Sequence, residues 1–318
     1  MAVRVLITGI NGFAGCHLSK LLSEKGHEIF GTRVDLNNLD VISRYITTDN
    51  ILVVDLKNRS GIDELIRKTA PDVIFHLAAL SWVPASWKDP ALTFEVNLLG
   101  SISIFESALR HVPSSLCIVI STGDFYDATR IPGAAADEDS PIVPRNPDAI
   151  SKMAVDLLAR QYFFSRKLRV VRLRPFNHIG PYQSESFVVP EFAKQIALAE
   201  KGKAEPVLKV GNLDAERDFT DVRDMVRAYE SAIGKCDVGE CYNISSQKAY
   251  RIGALLDILV SESKVKMQVE SDPTKYRPLE ITRLVGNSAK FRKATGWTPE
   301  IPIEKTVLDV LNYWREKV

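Results

Sequence analysis

The chain has 318 residues, of which 45% are hydrophobic and 25% charged, a composition typical of a globular protein with one large core or two lobes. The formal net charge is +1, so no strong field favours a nucleic acid or an anionic membrane as partner. We expect no apolar run approaching the ~20 residues that span a bilayer. Because residue 3 already begins the first predicted strand, we expect no secretory leader. The four cysteines form no CxxC pair, which favours reduced buried thiols, no metal site and a cytoplasmic location.

A glycine-rich turn follows the first predicted strand. Residues 3–8 are an apolar, β-branched run, and the sequence GINGFAG at residues 9–15 leads from them into a helical pattern over residues 16–25. In such a unit the free N–H groups of the helix N-terminus point at the turn and bind phosphate. The spacing GxxGxxG is a modified form of the usual dinucleotide fingerprint. We expect the cofactor diphosphate to bind at Gly9, Asn11, Gly12, Phe13 and Gly15.

Apolar strands then alternate with amphipathic helices. Strands are predicted at residues 27–32, 51–55, 73–78, 116–121 and 170–173, and helices at residues 61–70, 90–110 and 148–165. Residues 33–49 are polar and predict a loop with a short helix. This alternation predicts an α/β fold with a doubly wound parallel sheet of the Rossmann type. Ligands of such sheets bind beyond the carboxyl ends of the strands.

The second half of the chain is less regular. It predicts helices at residues 186–202, 251–263, 288–295 and 302–316, and strands at residues 207–210 and 240–244, with a strand and helix over residues 217–233. We assign residues 1–177 to a dinucleotide-binding domain to which residues 217–244 return. Residues 178–216 and 245–318 then form a smaller, interleaved C-terminal substrate lobe.

The residue after the second strand bears on the choice of dinucleotide. NAD binding would favour Asp or Glu there, to contact the ribose 2′-OH. The sequence instead has Arg33, which suits a 2′-phosphate and favours NADP, although Asp35 leaves NAD open and Arg33 could be a solvated loop charge. After the third strand, Asp55 and Leu56 are placed to meet the adenine end, with helix capping as the alternative role of Asp55.

Motifs over essentially the whole chain resemble the extended short-chain dehydrogenase/reductase family. They are TGxxGFxG at residues 8–15, HLAA at residues 76–79, Asn97, Ser121-Thr122 and Ser151-Lys152. Three further stretches resemble the branch of GDP-mannose 4,6-dehydratases and GDP-6-deoxy-mannose (GDP-4-keto-6-deoxymannose) reductases: RPFNHIGP at 174–181, FVVP at 187–190 and VGNLDAERDFT at 210–220. The last two resemble the reductase more than the dehydratase.

The resemblance implies a nucleotide-sugar substrate, GDP-linked in this branch. It also implies cofactor contacts from Leu77, Ala78 and Ala79 of the HLAA motif. Relatives commonly form a homodimer through a four-helix bundle, which here would use the helices at about residues 90–110 and 148–165.

One catalytic position departs from the family. The family places a Tyr four residues before the Lys as the acid/base of hydride transfer, and this chain has Asp148. A carboxylate beside Lys152 should have a lowered pKa and hold no proton for a C4 oxyanion near neutral pH. Asp is also shorter than Tyr. We therefore predict that redox catalysis is weakened or lost unless another group, such as Tyr126, substitutes.

The other catalytic residues match the family. By resemblance, Thr122 donates a hydrogen bond to the substrate oxygen, and Lys152 holds the nicotinamide ribose and tunes position 148. Asp124 stands where dehydratases carry Glu or Asp. It would help remove water across C5–C6 of a 4-keto sugar, or be merely positional in a reductase.

The predicted substrate contacts lie in both halves of the chain. Asn177 and Arg217 would hold the nucleoside diphosphate-sugar, with an ion pair to Glu216 or Asp218 as the alternative role of Arg217. Other candidates are Ser81 in the loop after the fourth strand, Val188 for backbone contacts to the base, and the cations Lys194 and Arg277. His76 and His178 are expected to be packed residues.

Three functions remain open from the sequence. The first is NADP(H)-dependent reduction of GDP-4-keto-6-deoxymannose to GDP-rhamnose. The second is a GDP-mannose 4,6-dehydratase or an epimerase of a nucleotide-sugar, using Asp124. The third is a nucleotide-sugar-binding protein whose catalysis is impaired by Asp148.

Overall fold

The computed structural model describes residues 2–131, 133–276 and 281–318. Its strands are β1 (Arg4–Thr8), β2 (Glu28–Arg33), β3 (Ile51–Val53), β4 (Val73–His76), β5 (Leu116–Ile120), β6 (Val170–Pro175), β7 (Asn177–Ile179), β8 (Val207–Val210), β9 (Glu216–Asp221), β10 (Cys241–Ile244), β11 (Ala249–Arg251), β12 (Gln268–Ser271) and β13 (Arg283–Leu284). Its helices are α1 (Phe13–Glu24), α2 (Leu39–Ile42), α3 (Arg59–Thr69), α4 (Val83–Lys88), α5 (Pro90–Phe94), α6 (Gly100–His111), α7 (Pro147–Arg166), α8 (Val188–Glu200), α9 (Val222–Ser231), α10 (Ile252–Ser261), α11 (Ala289–Thr295) and α12 (Ile303–Lys317).

A seven-stranded parallel sheet forms the centre of the molecule, in the order β10-β6-β5-β4-β1-β2-β3. The chain moves outward from β1 in both directions, so the predicted doubly wound topology is confirmed. Strand β1 pairs with β2 on one side and β4 on the other, with Leu6 opposite Phe30 and Ile74. The carboxyl ends of β1 to β6 therefore meet at one edge of the sheet, where this class of fold binds ligands.

Helices cover both faces of this sheet. On one face α1 packs against α9, and on the other α3 packs against α6, with α7 beside them. The central strands are accordingly apolar on both faces: Val5, Leu6 and Ile7 are all fully buried. All four cysteines are buried and unpaired, as the sequence predicts.

The C-terminal lobe has its own core. Helices α8, α10 and α12 pack together beside two small sheets. In one, β9 pairs with β7, β11 and β13, and in the other β8 pairs with β12. Within residues 217–244, β10 joins the main sheet and α9 packs on α1, whereas β9 lies in the first small sheet. The sequence patterns did not predict β7, β11, β12 or β13, which are only two to four residues long. The assignment of the two lobes as separate binding units stays a prediction.

Buried carboxylates join the two lobes. Asp221 caps α9 and accepts a hydrogen bond from Thr306 of α12 at 2.7 Å. Asp224 accepts from the backbone N–H groups of Glu300 and Ile301, both at 2.8 Å. These bonds hold α12 and the segment before it against α9 of the sheet domain.

A long apolar helix corrects one expectation from the sequence. Pro90–His111, which comprises α5, a π-helical segment at Glu95–Leu99 and α6, has 22 residues, and its most apolar 18-residue stretch has a mean hydropathy of 1.2, enough by length and composition to cross a membrane. The expectation of no apolar run near that length is wrong for this segment. Half of its most apolar stretch is buried inside the fold, where α6 packs against α3 and α7, as is common for a core helix.

Candidate active-site cleft

A cleft of about 1100 Å³ runs between the two lobes at the carboxyl edge of the main sheet. The structure brings together there all of the residues that the sequence predicts for cofactor binding and catalysis. They are Gly9, Asn11, Gly12, Phe13, Gly15, Arg33, Asp55, Leu56, Leu77, Ala78, Ala79, Thr122, Asp124, Asp148 and Lys152. Of the predicted substrate contacts, Ser81, Asn177, Val188 and Arg217 also line it.

The glycine-rich turn has the close packing that a diphosphate site requires. Gly9 has φ of +70°, and a Cβ there would lie 3.0 Å from the Cα of Ala78. A Cβ on Gly15 would lie 2.4 Å from the carbonyl oxygen of Gly9, so α1 can start against the turn only with glycine at this position. Gly12 is the N-cap of α1 and has no capping side chain. The first turn of α1 therefore faces the cleft uncovered by any side-chain cap, which suits a phosphate group.

The loop after β2 separates Arg33 from its acidic neighbour. The Asp35 carboxylate accepts from the side chain of Asn11 at 2.5 Å and from the backbone and side chain of Asn37 at 3.0 and 2.9 Å. Arg33 donates only to the backbone carbonyl of Asp35, at 3.0 Å, and its Nε is buried without a hydrogen-bond partner among the described residues. Asp35 is thus committed to asparagines while the guanidinium stays available, which favours recognition of a 2′-phosphate.

The structure also decides the alternative role of Asp55. Helix α3 is capped by Asn58, whose side chain accepts from the backbone N–H of Gly61 at 3.0 Å. The hypothesis that Asp55 caps this helix is therefore wrong. Asp55 accepts from the backbone N–H of Lys57 at 2.9 Å and lines the cleft.

A hydrogen-bond network places position 148 at the cleft. Pro147 opens α7, and the Asn146 side chain caps it by accepting from the N–H of Ala149 at 2.8 Å. One turn later, Ser151 donates to the carbonyl of Asp148 at 2.8 Å and accepts from Asn97 at 2.9 Å. Asn97 lies in the π-helical segment, an irregularity that often occurs at functional sites.

Asn97 also holds the loop after β4. Its amide accepts from the N–H of Leu80 at 2.8 Å and donates to the carbonyl of the same residue at 3.0 Å. This loop carries Ser81, so one asparagine fixes the first turn of α7 relative to a wall of the cleft.

Asp148 has an electrostatic setting opposite to the one expected from sequence. It is 8% exposed, and its Oδ1 is buried with no hydrogen-bond partner within the described residues. Burial raises the pKa of this carboxyl to about 6, and Asp124 raises it further, while Lys152 lowers it. The expectation that Lys152 would lower the pKa of Asp148 below its ordinary value is wrong, because removing the carboxylate from water outweighs its attraction to the ammonium. Burial also lowers the pKa of Lys152.

Tyr126 is held away from the reaction centre. Its hydroxyl donates to Asn243 and accepts from Arg174, each at 2.8 Å, and the side chain is fully buried. Burial raises its pKa well above the ordinary phenol value. It does not line the cleft, so the structure gives it a packing role and not that of a substitute base.

The two histidines are packed, as predicted. His76 bonds to Thr8 and to Ser101, both at 2.8 Å, and burial lowers its pKa to about 3. His178 stacks on Phe13 with ring centroids 5.6 Å apart. Within residues 2–131, 133–276 and 281–318, no cluster of His, Cys, Asp or Glu could hold a metal ion.

The substrate wall contains one unsatisfied donor. The side-chain nitrogen of Asn177 is buried and makes no hydrogen bond to the described part of the chain. The carboxylates beside Arg217 have other partners: Glu216 pairs with Arg283 at 3.1 Å, and Asp218 accepts from Ser246, Gln247 and Gly286. Arg217 itself donates to the backbone carbonyl of Glu216 at 2.9 Å, and both Asn177 and Arg217 line the cleft.

The cation set predicted for the substrate needs correction. Lys194 does not line the cleft; its ammonium pairs with Glu185 at 3.2 Å and lies over the ring of Trp314. Arg277 lies outside the described residues. The cleft is lined instead by Lys275 and Lys317, which the sequence did not single out.

Neither lysine belongs to a recognisable local motif. Lys317 lies at the end of α12, and nothing in the nearby sequence marks it as a cleft residue. Lys275 lies just before the YRP segment, and that proximity was its only sequence signal. Glu191, on the first turn of α8, was missed for the same reason and also lines the cleft.

The fold and the arrangement of side chains at the strand ends define an extended short-chain dehydrogenase/reductase. A family model described as GDP-mannose 4,6 dehydratase matches residues 6–310. The chain belongs to that family.

Two curated relatives and one solved structure are similar over nearly their whole length. GDP-6-deoxy-D-mannose reductase from Pseudomonas aeruginosa is 33% identical over 318 residues, covering 100% of this chain and 99% of the relative. GDP-mannose 4,6-dehydratase from Vibrio cholerae is 25% identical, covering 98% of this chain and 93% of the relative. The structure of RMD from Pseudomonas aeruginosa complexed with NADPH has a TM-score of 0.86 at 32% identity, covering 99% of this chain and 100% of that one.

Proposed function

We propose that this protein uses NADPH to reduce GDP-4-keto-6-deoxymannose to GDP-rhamnose. The observation that carries the proposal is the buried Asp148, whose pKa of about 6 lets a carboxylic acid stand where relatives have a phenol. The similarity to a bacterial GDP-6-deoxy-D-mannose reductase over the full chain supports the same reaction. NAD remains the alternative dinucleotide.

The residues of the sheet domain fit the cofactor. The uncapped start of α1 and the tight packing of Gly9 and Gly15 suit the diphosphate, and Arg33 suits the 2′-phosphate. Leu56 and the Leu77–Ala79 strand end would contact the adenosine and nicotinamide halves. Bound NADPH would supply the hydride.

The protein would supply the proton and the orientation. The Thr122 hydroxyl donates a hydrogen bond to the C4 carbonyl oxygen of the sugar, which polarises it. Protonated Asp148 gives its proton to that oxygen as C4 is reduced, so the ketone becomes a secondary alcohol. The resulting carboxylate is stabilised by the ammonium of Lys152 and takes a new proton from solvent. Asn177 and Arg217 hold the diphosphate, and Val188 borders the base.

Asp124 supports a second candidate, the 4,6-dehydratase reaction. Its carboxylate lines the cleft, and its backbone N–H donates to the Thr122 hydroxyl at 3.1 Å, which places the two residues together. In that reaction Asp124 would move a proton during loss of water across C5–C6. An epimerase, or a nucleotide-sugar-binding protein without turnover, are the remaining alternatives.

Product analysis over a range of pH separates these functions. The protein is incubated with NADPH and GDP-4-keto-6-deoxymannose, and separately with GDP-mannose and NADP+, between pH 5 and 8. We expect NADPH oxidation with GDP-rhamnose as product, and a rate that falls about tenfold per pH unit above about 6 as Asp148 loses its proton. Formation of the 4-keto sugar from GDP-mannose supports the dehydratase, and ligand binding without turnover at any pH refutes the reductase.

We further propose that the protein is a cytoplasmic homodimer. Leu99, Leu157 and Phe164 are apolar side chains exposed on the long helix and on α7, the helices that would form a four-helix bundle with a second copy. Light scattering of the purified protein tests the dimer. We expect neither a nucleic acid nor a membrane as partner.

A further inference from the structure

Three charged side chains are buried outside the cleft and take no part in the proposed chemistry. Arg172 and Arg174 are two residues apart on β6, so their side chains leave the sheet on the same face. Both pair with Asp156 of α7, at 2.6 and 2.9 Å, and no more than 5% of any of the three side chains is exposed. One positive charge is left uncompensated inside the fold. Because apolar residues often replace such a cluster without loss of stability, stability alone does not explain it.

Arg174 is the more fully engaged of the two arginines. Its Nε and one terminal nitrogen bind Asp156 in a bidentate fork, each at 2.9 Å. The other terminal nitrogen donates to the hydroxyl of Tyr126 at 2.8 Å and to the backbone carbonyl of Glu138 at 3.1 Å. The guanidinium also lies over the rings of Phe125 and Tyr126, with its central carbon 5.1 and 5.7 Å from the ring centroids. Every nitrogen of this guanidinium therefore has a partner.

These partners belong to the two segments that carry the catalytic residues. Asp156 lies one helical turn after Lys152 on α7, the helix whose first turn contains Asp148. Phe125 directly follows Asp124 in the loop after β5. A single guanidinium thus joins the catalytic helix, α7, to the catalytic loop, residues 122–146.

The pairing of two strands fixes the hydroxyl of Tyr126. Strand β10 pairs with β6 in parallel, and Asn243 stands opposite Arg174 in the register. The Tyr126 hydroxyl donates to Asn243 and accepts from Arg174, each at 2.8 Å. Asn243 also donates to the backbone carbonyl of Ala136 at 2.9 Å, further along the catalytic loop. The loop is tied to the sheet by side chains that do not line the cleft.

Arg172 shares the carboxylate but not the loop. It donates to Asp156 at 2.6 Å and to the backbone carbonyl of Gly239 at 3.1 Å, and its Nε is buried with no hydrogen-bond partner in the described chain. Neither of these bonds reaches residues 122–146. The two arginines have similar burial and the same ion-pair partner, and they differ in what else they hold.

We propose that Arg174 is a positioning residue, which fixes the catalytic loop relative to the catalytic helix. The loop carries Thr122 and Asp124, and the helix carries Asp148 and Lys152. Arg174 acts from outside the cleft and contacts neither the cofactor nor the sugar. The inference rests on the proposed function for the roles of those four residues, but the geometry that it concerns can be measured without turnover.

A ¹³C NMR titration of Asp148 in the full-length protein reports this geometry. Burial raises the pKa of Asp148 most and the negative charge of Asp124 adds to it, whereas Lys152 lowers it. In Arg174→Lys the charge is kept, but an ammonium has no planar fork to hold both Asp156 and the loop. A loop that moves away from the helix weakens both raising effects, so the midpoint should fall by about half a pH unit or more.

Steady-state kinetics give a second readout. Arg174→Lys should lower kcat for reduction of the keto-sugar about tenfold to a hundredfold, with KM within about threefold of wild type, because Asp148 and Thr122 no longer meet the C4 oxygen together. Tyr126→Phe removes one hydroxyl and leaves every ion pair intact. It should move the midpoint and kcat in the same direction by smaller amounts.

The matched control is Arg172→Lys. It perturbs the same buried carboxylate, so urea unfolding should show a loss of stability similar to that of Arg174→Lys. Its Asp148 midpoint should stay within about 0.2 pH unit of wild type, and its kcat within about twofold.

The outcomes separate the inference from the proposed function. The positioning role is refuted if Arg172→Lys moves both readouts as far as Arg174→Lys, or if Tyr126→Phe and a folded Arg174→Lys leave the Asp148 midpoint unchanged. Should Arg174→Lys fail to fold, Tyr126→Phe decides the question by itself. Wild-type protein that turns over no keto-sugar refutes the reductase function, and the midpoints still decide the role of Arg174.

Discussion

Replacement of Asp148 by Asn isolates the effect of burying a carboxyl group in the cleft. The pKa of Asp148 is about 6 in the folded protein, compared with 3.8 for the ordinary carboxyl, and desolvation is the largest cause. A difference of about two pKa units corresponds to about 3 kcal/mol between the two protonation states. The side chain is 8% exposed, so little of this is lost to solvent screening.

The sign of the pH dependence follows from proton uptake. Between pH 4 and pH 6 the folded state holds a proton on Asp148 that the unfolded chain has lost, so the free energy of unfolding falls as pH rises through this window. Below pH 4 both states are protonated and burial of the charge costs nothing. Above pH 6 the cost of the buried carboxylate is fully present. Asn is neutral throughout and avoids it.

We expect Asp148→Asn to gain about 2 to 3 kcal/mol relative to wild type between pH 4 and pH 8, measured by urea unfolding at constant ionic strength. The matched control is Asp257→Asn, an exposed carboxyl on α10, for which the difference from wild type should stay nearly constant. If the difference between Asp148→Asn and wild type is the same at every pH, the carboxyl titrates as an ordinary one. The account of Asp148 as the proton donor would then be wrong.

Three further predictions concern the cofactor site and its lysine. Gly15→Ala places a Cβ against the backbone carbonyl of Gly9, so this variant should bind NADPH about tenfold or more weakly in a fluorescence titration. The control variant Gly253→Ala, whose Cβ meets only the flexible Arg251 side chain, should bind NADPH normally. Arg33→Ala should weaken NADPH binding about tenfold and leave NADH binding unchanged; equal losses for both cofactors would refute the 2′-phosphate contact. Lys152→Met removes the charge that lowers the pKa of Asp148, so a ¹³C NMR titration of that carboxyl should move to higher pH, and a move to lower pH would contradict the stated charge interaction.

Strand patterns and short motifs proved strong predictors for the sheet domain. The predicted strand at residues 207–210 and those that became β1 to β6 all appear, with ends within a few residues. The strand of a parallel sheet is buried on both faces and leaves a continuous apolar run, which is visible in sequence. The glycine-rich turn was also visible, because glycine is required there by backbone contacts that are local in the chain.

The C-terminal lobe was predicted less well. Strands β7, β11 and β13 have two or three residues each, too short for an alternating pattern to be recognised. Lys194 was chosen as a ligand by charge alone, and only the fold shows that Glu185 and Trp314 engage it. Lys275 and Glu191 are 84 residues apart in the chain, so their pairing could not be read from either local sequence.

Sequence alone determined the class of fold, the family, the position of the dinucleotide turn and the unusual Asp at position 148, because each of these is written in contiguous residues. The tertiary structure decided the charge state of that Asp. A sequence shows that a lysine lies one turn away, but it does not show how much water is excluded from the carboxyl group. Desolvation is a property of the packed cleft, and here it outweighs the nearby positive charge and raises the pKa.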